Sequence, residues 1–222
     1  MKRSFVNAMT MTAISNRRLQ AEDSDLPALA QRRGAYETVL KTALRLFAER
    51  GFGGTSVRDI AAAAQVQPAT LYAHFPSKDH VLAEIIKVGH EEHFRRLRTA
   101  LLESQPDPRE QIAALVTAHV GMHVAFPTLA VVANAELHAC EPGLIAPSLE
   151  LRRQSERMFQ DVIERGMALG LFRVPHARLA VAMIAGAGLR VSHWYTPAFE
   201  LSATQVAETY TQMALRILGV PD

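Results

Sequence analysis

Apolar residues recur at intervals of three and four along most of this 222-residue chain, and the strict alternation typical of a half-buried strand is missing. The first such stretch runs from about Arg33 to Arg50, and Gly51 follows it as a stop signal. Eight further helices are predicted over about 56–64, 68–74, 77–103, 108–126, 129–138, 145–169, 175–195 and 202–218. The expected fold is therefore all-α, with about nine helices.

Residues that begin and interrupt helices mark several of these boundaries. Three pairs have the spacing of a capping box, namely Ser56 with Asp59, Asp107 with Glu110 and Ser202 with Gln205. Pro68 suits the first position of a helix, because its φ angle is already helical and it lacks an N–H donor. Pro127 predicts a break or kink after Phe126. The run Glu141-Pro142-Gly143 predicts a loop.

Two short predicted helices lie next to each other between Ser56 and Lys78. Only residues 65–67 separate them, so the two helices must cross at a tight turn. Small and hydroxyl side chains lead the second helix, as they do in the helix that enters the major groove in helix-turn-helix proteins. This pair predicts duplex DNA as a partner.

The same segment resembles the TetR family of transcriptional repressors. The runs from Gly51 to Ala61 and from Thr70 to Phe75, followed by Ser77-Lys78, match the family signature in content, order and spacing. The matched block covers about 32–84. Two residues depart from the pattern, since Gln65 replaces the usual turn glycine and Gln67 the usual capping serine. A positive φ at Gln65 would cost about 1 kcal/mol.

The resemblance implies a set of residues that face DNA, namely Thr55, Arg58, Pro68, Ala69, Thr70, Tyr72, His74 and Lys78. Arg58 and Lys78 have the charge to pair with phosphates, and Thr70 suits contact with a base edge or a thymine methyl group. Tyr72 and His74 can donate to phosphate oxygens. The alternative for these two rings is that they pack against the first helix.

Charge is distributed unevenly along the chain. The net charge is +2, but seven lysines and arginines stand against three acidic residues between Arg32 and Lys78, which leaves +4 there and −2 elsewhere. A basic module on a nearly neutral body is typical of DNA-binding proteins. We expect a flexible N-terminal extension over 1–31, a helix-turn-helix domain over 32–78 and a ligand-binding and dimerisation domain over 79–222. The basic residues Arg17, Arg18, Arg32 and Arg33 belong either to a solvated tail or to an arm that enters a minor groove.

Composition argues against several other classes of protein. The hydrophobic share of 49% is ample for a packed core, and the longest apolar run, Leu179 to Leu189, is too short to span a membrane. The single cysteine, Cys140, cannot form an intramolecular disulfide. Without a recognisable secretory signal, a cytoplasmic location is expected. No nucleophile elbow, P-loop or dinucleotide fingerprint is present, so neither an enzyme nor a cofactor is expected.

The helical body is where TetR proteins enclose a small effector. Candidates for its contacts, taken from the polar and aromatic residues of this region, are His119, His123, Phe126, Asn134, His138, Phe159 and Trp194. The C-terminal half carries the runs Leu151-Arg152-Arg153, Phe159 to Gly166, Gly170-Leu171-Phe172 and His193-Trp194-Tyr195. With these runs it resembles the branch of the family that controls fatty-acid and sterol catabolism and responds to acyl-CoA thioesters. Under that resemblance, Arg152, Arg153 and Arg190 would meet phosphates of such a ligand.

Two alternatives stay open at this point. His119 and His123 share one predicted helix face, and His90 and His93 share another, so the first alternative is a metal-responsive repressor that uses these histidines. The same spacing also suits neutral histidines in a pocket wall or ordinary surface histidines. The second alternative is a DNA-binding protein without a ligand. Its body would be packed solidly, so an enclosed cavity distinguishes it from an effector-binding protein.

The last two predicted helices, 175–195 and 202–218, carry more apolar surface than one subunit can bury. Ala182, Ala185 and Gly186 form a stripe of small residues on the first of them, which permits a close approach of helices. We therefore expect a homodimer joined by these helices. Such a dimer places two recognition helices on successive major grooves of a palindromic operator.

Overall fold

The computed structural model describes residues 25–32 and 34–220, and every regular element within this part of the chain is a helix. A 3-10 helix, Ala28–Ala30, precedes ten α-helices: α1 (Ala35–Arg50), α2 (Val57–Ala63), α3 (Pro68–His74), α4 (Lys78–Glu103), α5 (Pro108–Ala125), α6 (Pro127–Ala135), α7 (Pro142–Ala168), α8 (Ala177–Leu189), α9 (Val191–Trp194) and α10 (Ala203–Ile217). The predicted all-α fold is confirmed.

Two hydrophobic cores are connected by the long helix α4. The N-terminal core joins α1, α2 and α3 with the first half of α4 and with α6, around Phe47, Leu71 and Leu82. Helix α1 contacts all four of the other helices. The C-terminal core includes Leu97 from the second half of α4 and Phe159 from α7, together with residues of α5, α8 and α10. Because α4 is one continuous helix of 26 residues, it joins the two cores directly.

Several predicted helix boundaries are present. Ser56 and Asp59 form the capping box at the start of α2, in which each side chain accepts a hydrogen bond from the backbone N–H of the other residue. Ser202 and Gln205 form the equivalent box at the start of α10. The break before Pro127 is also present, since α5 and α6 are bent by 97° at their junction.

Other boundaries differ from the prediction. No capping box joins Asp107 to Glu110, because Asp107 Oδ1 accepts instead from the backbone N–H of Arg109 at 2.7 Å. The predicted loop over 141–143 is the start of α7, which begins at Pro142. The single helix predicted over 175–195 is two helices, α8 and α9, with Arg190 between them. That division gives ten α-helices in the described residues where nine were predicted.

The end of the predicted N-terminal extension packs on the body. Leu26 and Ala30 are buried in the N-terminal core, and Gln31 Nε2 donates to the carbonyl oxygen of Leu26 at 3.0 Å. Residues 25–31 of the predicted extension are therefore packed on the N-terminal core. Arg17, Arg18 and the predicted start of the first helix at Arg33 lie outside the described residues.

No single helix in the described ranges is long and apolar enough to cross a membrane. Helices α5 and α6 reach that length and apolar character only when they are taken together across their 97° bend. Their large apolar residues, including Leu115, Val120 and Leu129, are buried inside the helical body.

Candidate functional site

The helix-turn-helix rests on buried apolar residues and on a left-handed turn. Ile60 of α2 and Leu71 of α3 are fully buried in the N-terminal core. Gln65 adopts φ of 56°, the conformation for which the family glycine is suited. The backbone N–H groups of Gln65 and Val66 donate to the carbonyls of Ala62 and Ala61, and this pair of bonds is the Schellman arrangement that ends a helix. The turn is therefore preserved at a cost of about 1 kcal/mol.

One face of this motif points to solvent. Arg58, Pro68, Ala69, Tyr72 and His74 are exposed, and Thr70 is half-buried. Tyr72 is 51% exposed, so about half of its surface is accessible to DNA. The His74 ring meets the ring of Tyr36 edge-on, with 6.2 Å between centroids, while the residue as a whole stays accessible. These six residues form the candidate DNA-binding surface.

Two residues predicted to face DNA have internal partners instead. Thr55 is buried, and its hydroxyl lies 3.0 Å from the carbonyl oxygen of Gly51 and 3.3 Å from that of Leu46. Lys78 Nζ donates to the carbonyls of Phe52 and Thr55 at 2.8 and 2.9 Å and lies 4.0 Å above the Phe52 ring. The Thr55 hydroxyl is thus bonded to the end of α1, and Lys78 holds the turn between α1 and α2 onto the start of α4. Neither side chain belongs to the exposed face.

A cavity of about 370 Å³ lies within the helical body, lined by residues of α4, α5, α6, α7 and α8. Its volume is in the range of small-molecule sites in proteins. Four of the seven predicted effector contacts line it, namely His119, His123, Asn134 and Phe159. His90 and His93 of α4, which the sequence suggested as possible metal ligands, lie in the same wall.

Three histidines of the cavity wall are linked by hydrogen bonds that define their tautomers. His119 Nε2 lies 2.9 Å from the carbonyl oxygen of Ala185, so this nitrogen must donate. His119 Nδ1 must then accept, and it lies 2.8 Å from His93 Nε2, which is the donor. His123 Nδ1 donates to the carbonyl oxygen of His119 at 2.7 Å, which leaves His123 Nε2 as an acceptor.

Burial keeps these rings neutral. It lowers the pKa of His90 to about 4, that of His119 to about 3 and that of His123 to about 4. The pKa of His93 is also held well below its ordinary value, chiefly by burial. Gly188 of α8 permits this packing, because a Cβ atom at that position would overlap the His119 ring. The inner wall of the cavity is therefore uncharged at neutral pH.

Charged residues lie at the exposed edge of the cavity. Arg152 and Glu156 of α7 and Arg178 of α8 line it and are exposed, and Arg152 Nε donates to Glu156 Oε1 at 3.2 Å. Two arginines against one glutamate leave this edge basic. Arg152 was predicted to meet phosphates, whereas Arg153 and Arg190, predicted with it, lie outside the lining. Arg178 was missed, because nothing in the linear pattern separates it from an ordinary surface arginine.

Three predicted effector contacts lie outside the cavity lining. Phe126, at the bend between α5 and α6, lies under the guanidinium of Arg96 at 5.1 Å. His138 is exposed in the turn after α6. Trp194 packs edge-on against Phe199, with 5.1 Å between ring centroids. Aromatic or imidazole character alone therefore did not identify the lining.

Several ring nitrogens of the histidine cluster are engaged in hydrogen bonds. His119 Nδ1 pairs with His93 Nε2, and His119 Nε2 pairs with the carbonyl oxygen of Ala185. Within residues 25–32 and 34–220, no group of three or more histidine, cysteine, aspartate or glutamate side chains is placed to hold a metal ion. The metal-responsive alternative thus has no geometric support in this part of the chain.

Fold and site together define a helix-turn-helix DNA-binding protein with a cavity in its helical body. The family of bacterial regulatory proteins, tetR family, matches residues 39–85. The tetracyclin repressor-like C-terminal domain matches residues 105–218. The chain belongs to the TetR family of transcriptional repressors, which confirms the resemblance seen in the sequence. Its relatives are transcriptional regulators, not enzymes.

Proteins similar to this chain extend over both of its domains. The HTH-type transcriptional repressor KstR2 of Rhodococcus jostii strain RHA1 is 29% identical over 190 residues, which are 85% of this chain and 93% of that protein. The structure of the ketosteroid transcriptional regulator KstR2 of Mycobacterium tuberculosis has a TM-score of 0.75 at 28% identity, over 87% of this chain and 98% of that one. AibR in complex with isovaleryl coenzyme A and operator DNA has a TM-score of 0.73 over 81% of this chain and 97% of that one; at 22% identity this likeness concerns the fold alone.

Proposed function

We propose that this protein represses transcription in the cytoplasm as a dimer on a palindromic operator and is released by a small, largely apolar effector, with an acyl-CoA thioester as the favoured class. The observation that carries this proposal is the cavity of about 370 Å³ with a neutral inner wall and a basic edge. A DNA-binding protein without a ligand has no need of such a cavity, so the cavity favours the effector-binding alternative.

The chemistry of the lining supports a thioester. Met122, Phe159 and Val181 offer apolar contacts to an acyl group inside the cavity. At the edge, Arg152 and Arg178 offer guanidinium groups to the phosphates of a coenzyme A moiety. The name of one similar protein, a ketosteroid transcriptional regulator, agrees with a largely apolar effector.

Titration of the operator complex tests this proposal directly. Acyl-CoA thioesters of several chain lengths are added to the protein bound to its operator, in parallel with the matching free acids and with Zn²⁺. We expect release by thioesters and not by the free acids, because only the thioesters carry phosphates to the basic edge. Release by Zn²⁺ and by no organic ligand would overturn the proposal in favour of the histidine cluster as a metal site.

The exposed surface of α2 and α3 is the proposed contact with DNA. Arg58 would pair with a phosphate, Tyr72 and His74 would donate to phosphate oxygens, and Thr70 would touch a base edge. Pro68 and Ala69 are small enough to let the start of α3 approach the groove closely. Footprinting across the genome would identify the operator and the neighbouring genes, and those genes would indicate the metabolic pathway of the effector.

Replacing Arg58 with alanine should weaken binding to operator and to random DNA by a similar factor. The loss of one phosphate contact in each half-site should reduce the slope of log affinity against log salt concentration by about one per Arg58, and so by about two for a dimer. Fluorescence anisotropy at several salt concentrations measures this slope. Arg98→Ala, at an exposed position of α4 in the body, is the matched control. A loss confined to the operator would show that Arg58 reads a base instead.

Two helices connect the cavity with the DNA-binding domain. Helix α6 contributes Ala133 and Asn134 to the lining and ends next to Glu136, whose Oε1 accepts from the backbone N–H of Phe52 at 3.2 Å. Helix α4 contributes two histidines to the lining and holds the same turn through Lys78. An effector that binds better to the form of the dimer whose recognition helices are wrongly spaced for the operator would shift the population toward that form. These contacts would carry the change from the cavity to the recognition helices.

Glu136→Ala should weaken the coupling between effector and operator. We expect the ratio of effector affinities for free and DNA-bound protein to fall about fivefold, since removing one connecting contact changes a coupling free energy by about 1 kcal/mol. Calorimetry with and without operator measures both affinities. Glu136→Gln keeps a side-chain oxygen that can accept from Phe52 and should keep most of the ratio. An unchanged ratio in Glu136→Ala would remove α6 from the proposed route.

Apolar residues exposed on α8 and α10 support the proposed dimer. Leu179 and Met183 on α8 are 62% and 61% exposed, and Met213 and Ile217 on α10 are 53% and 37% exposed. Helices α8 and α10 contact each other, so these residues can contribute to one surface. Large exposed apolar patches mark protein interfaces. The proposed interface is therefore α8 with α10, and a second copy of the chain is its partner.

A further inference from the structure

Two buried polar atoms in the cavity wall have no hydrogen-bond partner in the protein. They are Nε2 of His90, on α4, and Oγ of Ser155, on α7. His90 is 7% exposed and Ser155 is 4% exposed, and both line the cavity. Buried polar groups of proteins are nearly always paired, because an unpaired one has lost its water without compensation. The occupant of the cavity is thus the natural source of their partner.

We propose that the effector carries a hydroxyl or ketone oxygen on its apolar part, and that His90 Nε2 and Ser155 Oγ bind this oxygen. This inference rests on the proposed function and narrows it from a largely apolar effector to an oxygenated one. The two atoms are buried, whereas Arg152 and Arg178 of the same lining are exposed. The oxygen would therefore lie inside the cavity, separate from the group held at the basic edge.

The donors and acceptors of this pair suit a neutral oxygen. A serine hydroxyl both donates and accepts, and Nε2 of a neutral histidine does one or the other according to its tautomer. A ligand hydroxyl can donate to one of them and accept from the other, while a ketone oxygen can accept from both. A methyl group at the same place would leave both protein atoms unpaired.

A carboxylate fits this position poorly. The neighbouring rings of His93, His119 and His123 are neutral, so the inner wall supplies no counter-charge to a buried anion. The charged group that faces His90 is Arg152, which is exposed and bonded to Glu156. The inner site therefore favours a polar but uncharged group.

Matched ligands test the inference. Each ω-hydroxyacyl-CoA in a series of about six to twelve carbons is compared with the acyl-CoA in which a methyl group replaces the hydroxyl. Calorimetry gives the affinity, and release of labelled operator gives the functional response. At the chain length that reaches the pair, we expect the hydroxylated thioester to bind about ten- to a hundredfold more tightly, since a site built for a hydroxyl discriminates strongly against its absence. Equal affinities at every length would overturn the inference and leave the acyl-CoA proposal intact.

Substitutions at His90 and Ser155 test whether these two residues cause the preference for the hydroxylated thioester. Ser155→Ala and His90→Phe should each reduce the preference for the hydroxylated ligand at least several-fold while the methyl ligand still binds. Ser148→Ala is the control, because Ser148 is equally buried on the same helix but does not line the cavity. A preference that survives in both Ser155→Ala and His90→Phe would overturn the assignment.

A second pair of probes separates this inference from the choice of coenzyme A. Cyclohexanol and methylcyclohexane have nearly the same shape, and their binding is followed by NMR line broadening of the free ligand. Preferential binding of cyclohexanol, abolished in Ser155→Ala, would support the polar site even if no thioester released the operator. In that case the acyl-CoA proposal alone would fail. Binding of neither probe and of no thioester would overturn both.

Discussion

A Met183→Glu variant is expected to be a monomer at micromolar concentration and to bind its operator about a hundred- to ten-thousandfold more weakly than the unmodified chain. Met183 is 61% exposed on α8, in the surface proposed to join two subunits. In a two-fold dimer the substitution occurs twice, so two carboxylates would lose their water without gaining a partner. A monomer presents one recognition helix, and the gain from binding two half-sites together is lost.

Sedimentation velocity and operator titration check this result. Leu102→Glu is the control, because Leu102 is 74% exposed near the end of α4 and belongs to neither α8 nor α10. It should remain a dimer and bind normally. If Met183→Glu still sediments as a dimer, the interface lies elsewhere on the molecule. If it is a monomer of undiminished affinity, simultaneous binding of two half-sites is refuted.

The free energy of unfolding is expected to fall by several kcal/mol between about pH 7.5 and about pH 5. Burial lowers the pKa of His90 and His123 from 6.5 to about 4 and that of His119 from 6.5 to about 3. The unfolded chain therefore binds protons first as the pH falls. Stability is fully present above pH 6.5 and is lost progressively as the pH approaches the folded-state pKa values. At pH 5 each of these three histidines lowers the free energy of unfolding by about 2 kcal/mol relative to neutral pH.

Urea denaturation at the two pH values measures the effect. In His123→Gln the loss of stability should be smaller by about 2 kcal/mol, because the amide does not titrate. His138→Gln, at an exposed position after α6, should lose as much stability as the unmodified protein. Equal losses in all three proteins would contradict the assignment of neutral, buried histidines to the cavity wall.

The helix-turn-helix was predictable because its determinants are close together in the chain. The capping box of Ser56 and Asp59 acts over three residues, and Pro68 acts on its own helix start. Even the departure at Gln65 was visible, since the turn needs a left-handed residue whatever its side chain. Local rules of this kind need no knowledge of the rest of the fold.

The boundaries that were wrong depend on packing. The stretch over 175–195 is apolar nearly all the way round, so its pattern predicts one helix. In the structure it divides at Arg190, and both Gly188 before the break and Val191 after it are buried. The close approach of His119 to Gly188 comes from α5, more than sixty residues earlier in the chain. A contact over that distance leaves no trace in local periodicity.

The sequence by itself determined the all-α class, the helix-turn-helix and the TetR resemblance, because each depends on residue types at short spacing. Only the tertiary structure decided which side chains are available for function. The Lys78 ammonium is occupied by the carbonyls of Phe52 and Thr55, although its charge suggested a phosphate contact. His90 and Arg178, from α4 and α8, share a cavity because the helices between them fold back on one another. Long-range packing sets these distances, and residue type alone does not.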